Sequence, residues 1–167
     1  MGIVAATVDA AEFAEWTRPS LLPMTRLARR LAPHADPDDI VQDALARAWI
    51  KRSQFDPDRG TPTTWLLAIV ADQARSSRRG RIRRRRVVDD SAEVPDAPAH
   101  DAVVDVDLER AIQHLADRQQ LAVHLHYFVG LPVDATADVM SCSVGTVKST
   151  LFDARARLRA LLGETDD

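Results

Sequence analysis

Val144, Val147, Leu151, Ala154, Leu158 and Leu161 recur at intervals of three and four residues. That spacing stacks them on one side of a helix and predicts the side as core. The opposite side carries Gly145, Lys148, Ser149, Phe152 and Asp153, a mixture of small and polar residues with one exposed aromatic. A shorter apolar pattern from Leu131 precedes it, so residues 131–162 read as a helix, a tight turn and a second helix. Ser143 is placed to cap the second helix, leaving the N–H groups of Gly145 and Thr146 to meet a phosphate. Such a face suits a nucleic-acid groove, and it equally fits an ordinary bundle helix. The rest of the chain has to decide.

The same periodicity organises the remaining residues. Residues 9–32 read as helical, with Pro19 and Pro23 interrupting or starting the helix rather than lying within it. Asp36 is a good N-cap and Pro37 fits the first helical position, which predicts a helix over about residues 37–53. Val41, Ala44, Leu45 and Ala48 form its buried stripe; Asp39, Asp43, Ala46 and Ile50 lie opposite, flanked by Gln42 and Arg47. Acids alternating with outward apolar residues suit a protein partner, and a solvated surface with one stray isoleucine fits as well. FDPDRGT, residues 55–61, is a turn by composition, and Thr61 with Pro62 repeats the cap-then-proline start. Trp65, Leu66, Ile69 and Val70 begin the apolar side of a helix that runs on into arginines. Leu108, Ile112 and Leu115, then Leu121, Leu125, Phe128 and Val129, predict two short helices ahead of the helix-turn-helix. No strand pattern occurs, so the fold class is all-α.

Charge changes the picture. Over residues 1–88 the chain has 16 basic and 10 acidic side chains; over 89–167 it has 6 and 15, so the overall −3 conceals halves of +6 and −9. RSSRRGRIRRRR, residues 75–86, holds eight arginines and no acid, and a polyanion relieves their mutual repulsion. Residues 89–107 follow with seven acids, two prolines and neither Lys nor Arg, the composition of a linker. Fully extended, those residues reach roughly 60 Å, about eighteen base pairs of duplex. Two modules could therefore occupy separate sites on one DNA.

Other classes lose ground on the same sequence. No apolar run approaches a membrane span, and the start MGIVAATVDAAEF lacks the basic-then-apolar order of a secretory signal. Cytoplasmic location is the expectation. One cysteine, Cys142, excludes an internal disulfide and reads as a small packed residue in the turn. His124 and His126, two apart on a helix, do not form a metal pair. No nucleophile–base, paired-carboxylate or glycine-rich phosphate pattern stands out, so neither catalytic residues nor a cofactor, metal or small-molecule substrate is expected.

DDIVQDALARAW (38–49), FDPDRGTPTTWLLAIVADQARSSRRGRIRRRR (55–86) and LADRQQLAVHLHYFVGLPVDATADVMSCSVGTVKSTLFDARARLRALL (115–162) resemble, in that order, three blocks of one family. It is the extracytoplasmic-function branch of bacterial RNA polymerase sigma factors, the minimal kind with sigma-2 and sigma-4 domains, and the likeness covers nearly the whole chain. The resemblance implies two small helical domains, a sigma-2-like bundle over 1–88 and a sigma-4-like four-helix domain over 108–163, joined by the acidic linker 89–107. It implies binding to core RNA polymerase and to promoter DNA, control by an anti-sigma protein, and no enzymatic activity. Carried over residue by residue, Asp39, Gln42, Asp43 and Arg47 meet the polymerase. Arg59, Thr61, Trp65, Asp72, Arg75 and Arg79 meet the minus-ten element, where a base is held out of the stack. Ser143, Gly145, Thr146, Lys148, Ser149, Phe152 and Asp153 meet the minus-thirty-five element in the major groove.

Several positions depart from the family's pattern. Thr150 and Asp153 stand where basic residues are common, Asp72 and Ser76 replace a common Asn and Asp, and Ser141 replaces the usual turn glycine. Residues 108–163 carry six bases and five acids, so this module should bind DNA weakly unless the polymerase holds it there. The rival readings are a free-standing helix-turn-helix regulator and a serine recombinase. The latter would need an αβ catalytic domain that residues 1–88 do not pattern.

Overall fold

The computed structural model describes residues 9–87 and 106–163, and all the described elements are helical. The chain divides into two compact units, Met1–Val87 and Val88–Asp167. The acidic segment proposed as a linker lies outside the described residues up to 105, as do the side chains of Arg83 to Arg86.

Unit 1 contains α1 (Ala10–Thr17), α2 (Leu21–Leu31), α3 (Pro37–Lys51) and α4 (Pro62–Val87). Pro19 lies in a single 3₁₀ turn between α1 and α2, and Pro23 falls in the first turn of α2, where a missing N–H breaks no bond. Asp36 caps α3 by accepting from the Asp38 N–H at 2.9 Å, with Pro37 as the first helical residue, as its sequence predicts. Helices α2, α3 and α4 pack on one another. Met24, Leu27, Ala44, Leu66, Leu67 and Val70 are fully buried between them. Each large apolar side chain there contributes about 1.5–3 kcal/mol. Of the α3 stripe, Val41, Ala44 and Ala48 are buried but Leu45 only half so; Ile40 fills the remaining place. Thr61 Oγ1 accepts from the Thr64 N–H at 3.2 Å and starts α4. Buried Ser20 ties the 3₁₀ turn to that start through a 2.8 Å bond with Thr63 Oγ1. Beyond Ala74 no side chain of α4 is fully buried among those described, so one rod has a core end and an arginine end.

Unit 2 contains α5 (Val106–Gln113), α6 (Asp117–Val123), a π-helical turn over His124–Val129, α7 (Val133–Met140) and α8 (Val144–Leu162). Helix α5 opens at Val106, two residues before the expected boundary. Helix α8 packs on α5, α6 and α7, and Leu121 to Leu125 are buried without a break. The second short helix expected, carrying Leu121, Leu125, Phe128 and Val129, is α6 running on into the π turn, which closes where the Leu131 N–H donates to the Leu125 carbonyl at 3.0 Å. His124 is buried beside Phe128, and His126 Nδ1 lies 2.8 Å from the Leu131 carbonyl oxygen, so both serve packing.

The α8 stripe is shorter than its sequence predicts. Val147, Leu151 and Ala154 are buried, Leu158 is half-buried, and Val144 and Leu161 are exposed. The reason is length. At 1.5 Å per residue α8 runs roughly 28 Å, while α5, α6 and α7 run about 10–12 Å each, so the ends of α8 outreach their cover.

The turn between α7 and α8 closes as a Schellman motif: the Cys142 N–H donates to the Ala137 carbonyl at 3.1 Å and the Ser141 N–H to Asp138 at 3.2 Å. Ser141 sits at φ 50° and ψ 51°, the one non-glycine residue at positive φ among those described. A left-handed L-residue carries a steric cost that glycine lacks. Ser141→Gly is therefore expected to stabilise unit 2 by about 0.5–1 kcal/mol, net of the added freedom of the unfolded chain. Urea unfolding of the full chain checks this, and an unchanged or lower midpoint would contradict it.

Candidate functional site

Three surfaces collect the residues singled out by sequence. On α3, Asp39, Asp43, Ala46 and Ile50 form one stripe at steps of four, three and four, with Gln42 and Arg47 on its flanks. All six are exposed, and Ile50 is 76% exposed. A carboxylate pair ending in a bare isoleucine gives a partner charge to pair with and an apolar side chain worth about 2 kcal/mol when covered.

The second surface runs from the loop before α4 onto its arginine end. Asp56 caps the 3₁₀ turn Pro57–Arg59 by accepting from the Asp58 N–H at 3.0 Å, which holds Arg59 outward. Gly60 follows at φ 150° and ψ 177°, a backbone that a side chain would strain, and Thr61 then caps α4. Trp65 is not a free ring beside this loop. It is half-buried 5.9 Å from Trp16 and 5.7 Å from Phe55, in a cluster that continues through Phe13 to Trp49. The guanidinium of Arg52 covers Trp49 at 4.2 Å and donates to its carbonyl at 2.7 Å. The cluster fixes the loop between α3 and α4, a role that sequence reasoning missed. Its members are spread over three helices and a loop, so no local periodicity marks them.

Further along α4, Asp72, Arg75 and Arg79 are exposed. Arg75 Nη1 lies 3.6 Å from Asp72 Oδ1, one helical turn away. The pair is solvent-screened and contributes little to stability. Its consequence is competition, because a phosphate that engages Arg75 must displace Asp72.

The third surface is α8. Ser143 Oγ accepts from the Thr146 N–H at 3.1 Å and lies 2.8 Å from Thr146 Oγ1. The expectation that Thr146 keeps a free N–H for a phosphate is thus corrected: the cap uses that amide, as N-caps do. Gly145 needs no special backbone, and a Cβ built there would meet only Ser143 Oγ, at 3.7 Å. Glycine in a helix costs up to about 1 kcal/mol relative to alanine, which leaves close approach from outside as its use. Gly145, Ser149, Phe152 and Ala156 form the middle of the exposed face, with Phe152 66% exposed. Lys148, Arg155 and Arg159 line one flank, spaced seven and four apart. Sequence reasoning passed over Arg155 and Arg159, although that spacing marks them. Thr146, Thr150, Asp153 and Arg157 line the other flank, where Thr150 turns inward to donate to the Thr146 carbonyl at 2.7 Å. Cys142 is half-buried in the turn.

Residues 21–87 match the family model described as Sigma-70 region 2, and residues 105–158 match the one described as Sigma-70, region 4. Among curated relatives, the ECF RNA polymerase sigma factor EcfG of Rhodopseudomonas palustris is 33% identical over 131 residues, covering 75% of this chain and 70% of that protein. The RNA polymerase sigma-E factor of Streptomyces coelicolor is 31% identical over 165 residues, covering 95% and 90%. Among solved structures, the sigma factor RpoE of Bartonella quintana, determined in complex with the anti-sigma factor NepR, superposes with a TM-score of 0.71 at 28% identity, covering 92% of this chain and 99% of that one.

Proposed function

Because the chain belongs to the extracytoplasmic-function branch of the RNA polymerase sigma factors, we propose that its two units divide the work of promoter recognition. Family membership makes it a sigma factor, the subunit that directs core RNA polymerase to promoters. It removes the support for a free-standing regulator or a serine recombinase, and the role it supports is that of an initiation factor.

The proposal assigns residues 1–88 to polymerase docking and the minus-ten element, 89–107 to a tether, and 108–163 to the minus-thirty-five element. The single observation that carries it is the exposed α3 stripe: two carboxylates and a bare isoleucine in line, on a helix whose other side buries Ile40, Val41, Ala44 and Ala48. Asp39, Gln42, Asp43 and Arg47 then frame the polymerase contact, and Ile50 adds the apolar end. Arg59 with the loop before α4 faces the melted minus-ten region, Arg75 and Arg79 take its phosphates, and Trp65 holds the loop in place. On α8, Lys148, Arg155 and Arg159 take phosphates of the minus-thirty-five duplex, while Ser149 and Phe152 reach base edges. Gly145 lets the backbone come close.

An anti-sigma protein fits the same surfaces, because covering Ile50 or Phe152 buries apolar area that the free chain leaves in water. The Bartonella quintana relative is solved with such a partner. No described helix is long and apolar enough to cross a membrane. The proposed polymerase partner puts the site of action in the cytoplasm.

Run-off transcription with core polymerase, over a library of promoter sequences, tests the proposal. Addition of the chain should select a subset of promoters for transcription. Phe152→Ala should leave the fold intact and lower transcription from them about tenfold, the loss of one apolar contact with a thymine methyl. Transcripts no different from those of core polymerase alone would overturn the assignment.

A further inference from the structure

Asp153 stands out on α8 because it is an exposed carboxylate with no hydrogen bond or ion pair recorded in the described structure. Arg157 lies one turn further along the same flank, a spacing that often forms a pair, yet the structure holds none. Three of the four basic residues of α8, Lys148, Arg155 and Arg159, lie on the opposite flank of the same face, where they would answer a DNA backbone. Between the two flanks runs the low stripe of Gly145, Ser149 and Ala156, from which Phe152 alone projects as a large side chain.

That arrangement gives α8 a polarity across its width. If the basic flank lies along one phosphate strand, Phe152 falls within the groove and Asp153 on the far side of it. A carboxylate is an acceptor only. In the major groove it is repelled by the N7 and O6 acceptors of guanine and by thymine O4, and it is satisfied by the amino group of cytosine. Adenine also offers an amino group, but its N7 acceptor stands beside it, whereas cytosine sets a C–H edge there. We infer that Asp153 is a specificity-determining residue, which accepts a hydrogen bond from the N4 amino group of one cytosine in the minus-thirty-five element. The inference rests on the promoter-binding role of α8 proposed above and adds to it the identity of one base.

The test is selection of promoters by reconstituted holoenzyme from a pool with the minus-thirty-five region randomised, read by sequencing the transcribed templates. The unaltered chain should favour cytosine at one position by about tenfold over the other bases. Asp153→Ala should flatten preference at that position alone and leave the neighbouring positions as they were. Asp153→Asn should move it toward adenine, whose N6 and N7 match the amide's acceptor and donor. Since Asp153 is exposed and unpaired, neither variant removes a packing contact. Identical base profiles in all three proteins, with only a uniform rise in binding as the negative charge is removed, would overturn the inference and leave the sigma role standing. Failure of the unaltered holoenzyme to select any promoter would overturn both.

Discussion

Replacing Asp39 and Asp43 together with arginine is expected to weaken binding to core RNA polymerase by roughly a hundredfold or more, because close interfacial charge pairs couple by about 1.5–7 kcal/mol. Both carboxylates are exposed on α3, away from the packed side formed by Ile40, Val41, Ala44 and Ala48. The fold should survive the change. Asp39 lies in the first turn, where its charge complements the helix dipole, so the double variant should lose only about 1 kcal/mol of stability. Ile50→Ala separates apolar from charged contributions: at 76% exposure it has little to lose inside the free chain, yet it should weaken the complex about tenfold. Titration of labelled chain with core polymerase measures both. Equal affinities for the unaltered chain and the double reversal would contradict the docking role of α3.

The second large effect belongs to α4. Arg75→Ala and Arg79→Ala combined should remove two phosphate contacts from the separated minus-ten strands, lowering the slope of log affinity against log salt by about 1.4. At physiological salt run-off transcription should fall at least about tenfold, and a template already unpaired over the minus-ten region should recover part of the loss. The Asp72–Arg75 pair predicts the opposite sign for Asp72→Asn, which frees Arg75 for phosphate. An unaltered salt slope in the double alanine variant would assign the arginines to solubility instead.

Local signals carried most of the fold. Asp36–Pro37 and Thr61–Pro62 fix two helix starts by cap chemistry alone, and both caps form the expected bonds. The continuity of α4 into its arginines was legible because no proline interrupts it before residue 95. The turn at Ser141 was legible from the two apolar patterns on either side of it, while its left-handed backbone, at φ 50°, was signalled only by the glycine that the resembling family usually has there.

What escaped the sequence depends on distant partners. The rings of Phe13, Trp16, Trp49, Phe55 and Trp65 meet only after three helices have packed, so the sequence marks Trp65 as apolar-side and the resemblance gives it a DNA contact, but neither shows its aromatic partners. Val144 and Leu161 satisfy the α8 periodicity perfectly and are still exposed, because the length of the neighbouring helices decides burial at the ends. The π turn at His124–Val129 leaves no mark that a three-to-four spacing can register. The Asp72–Arg75 pair and the Arg155–Arg159 flank, by contrast, follow from spacing along a single helix.

The surfaces on α3, α4 and α8 acquire a common purpose only if the chain first becomes part of the polymerase. Mixing the purified, folded chain with core enzyme and following their co-elution tests that claim most directly. A stoichiometric complex that forms with Asp39 and Asp43 intact and dissociates when both are reversed is the predicted result. A chain whose helical content is intact, yet which never enters a complex with core polymerase at micromolar concentration, would contradict it.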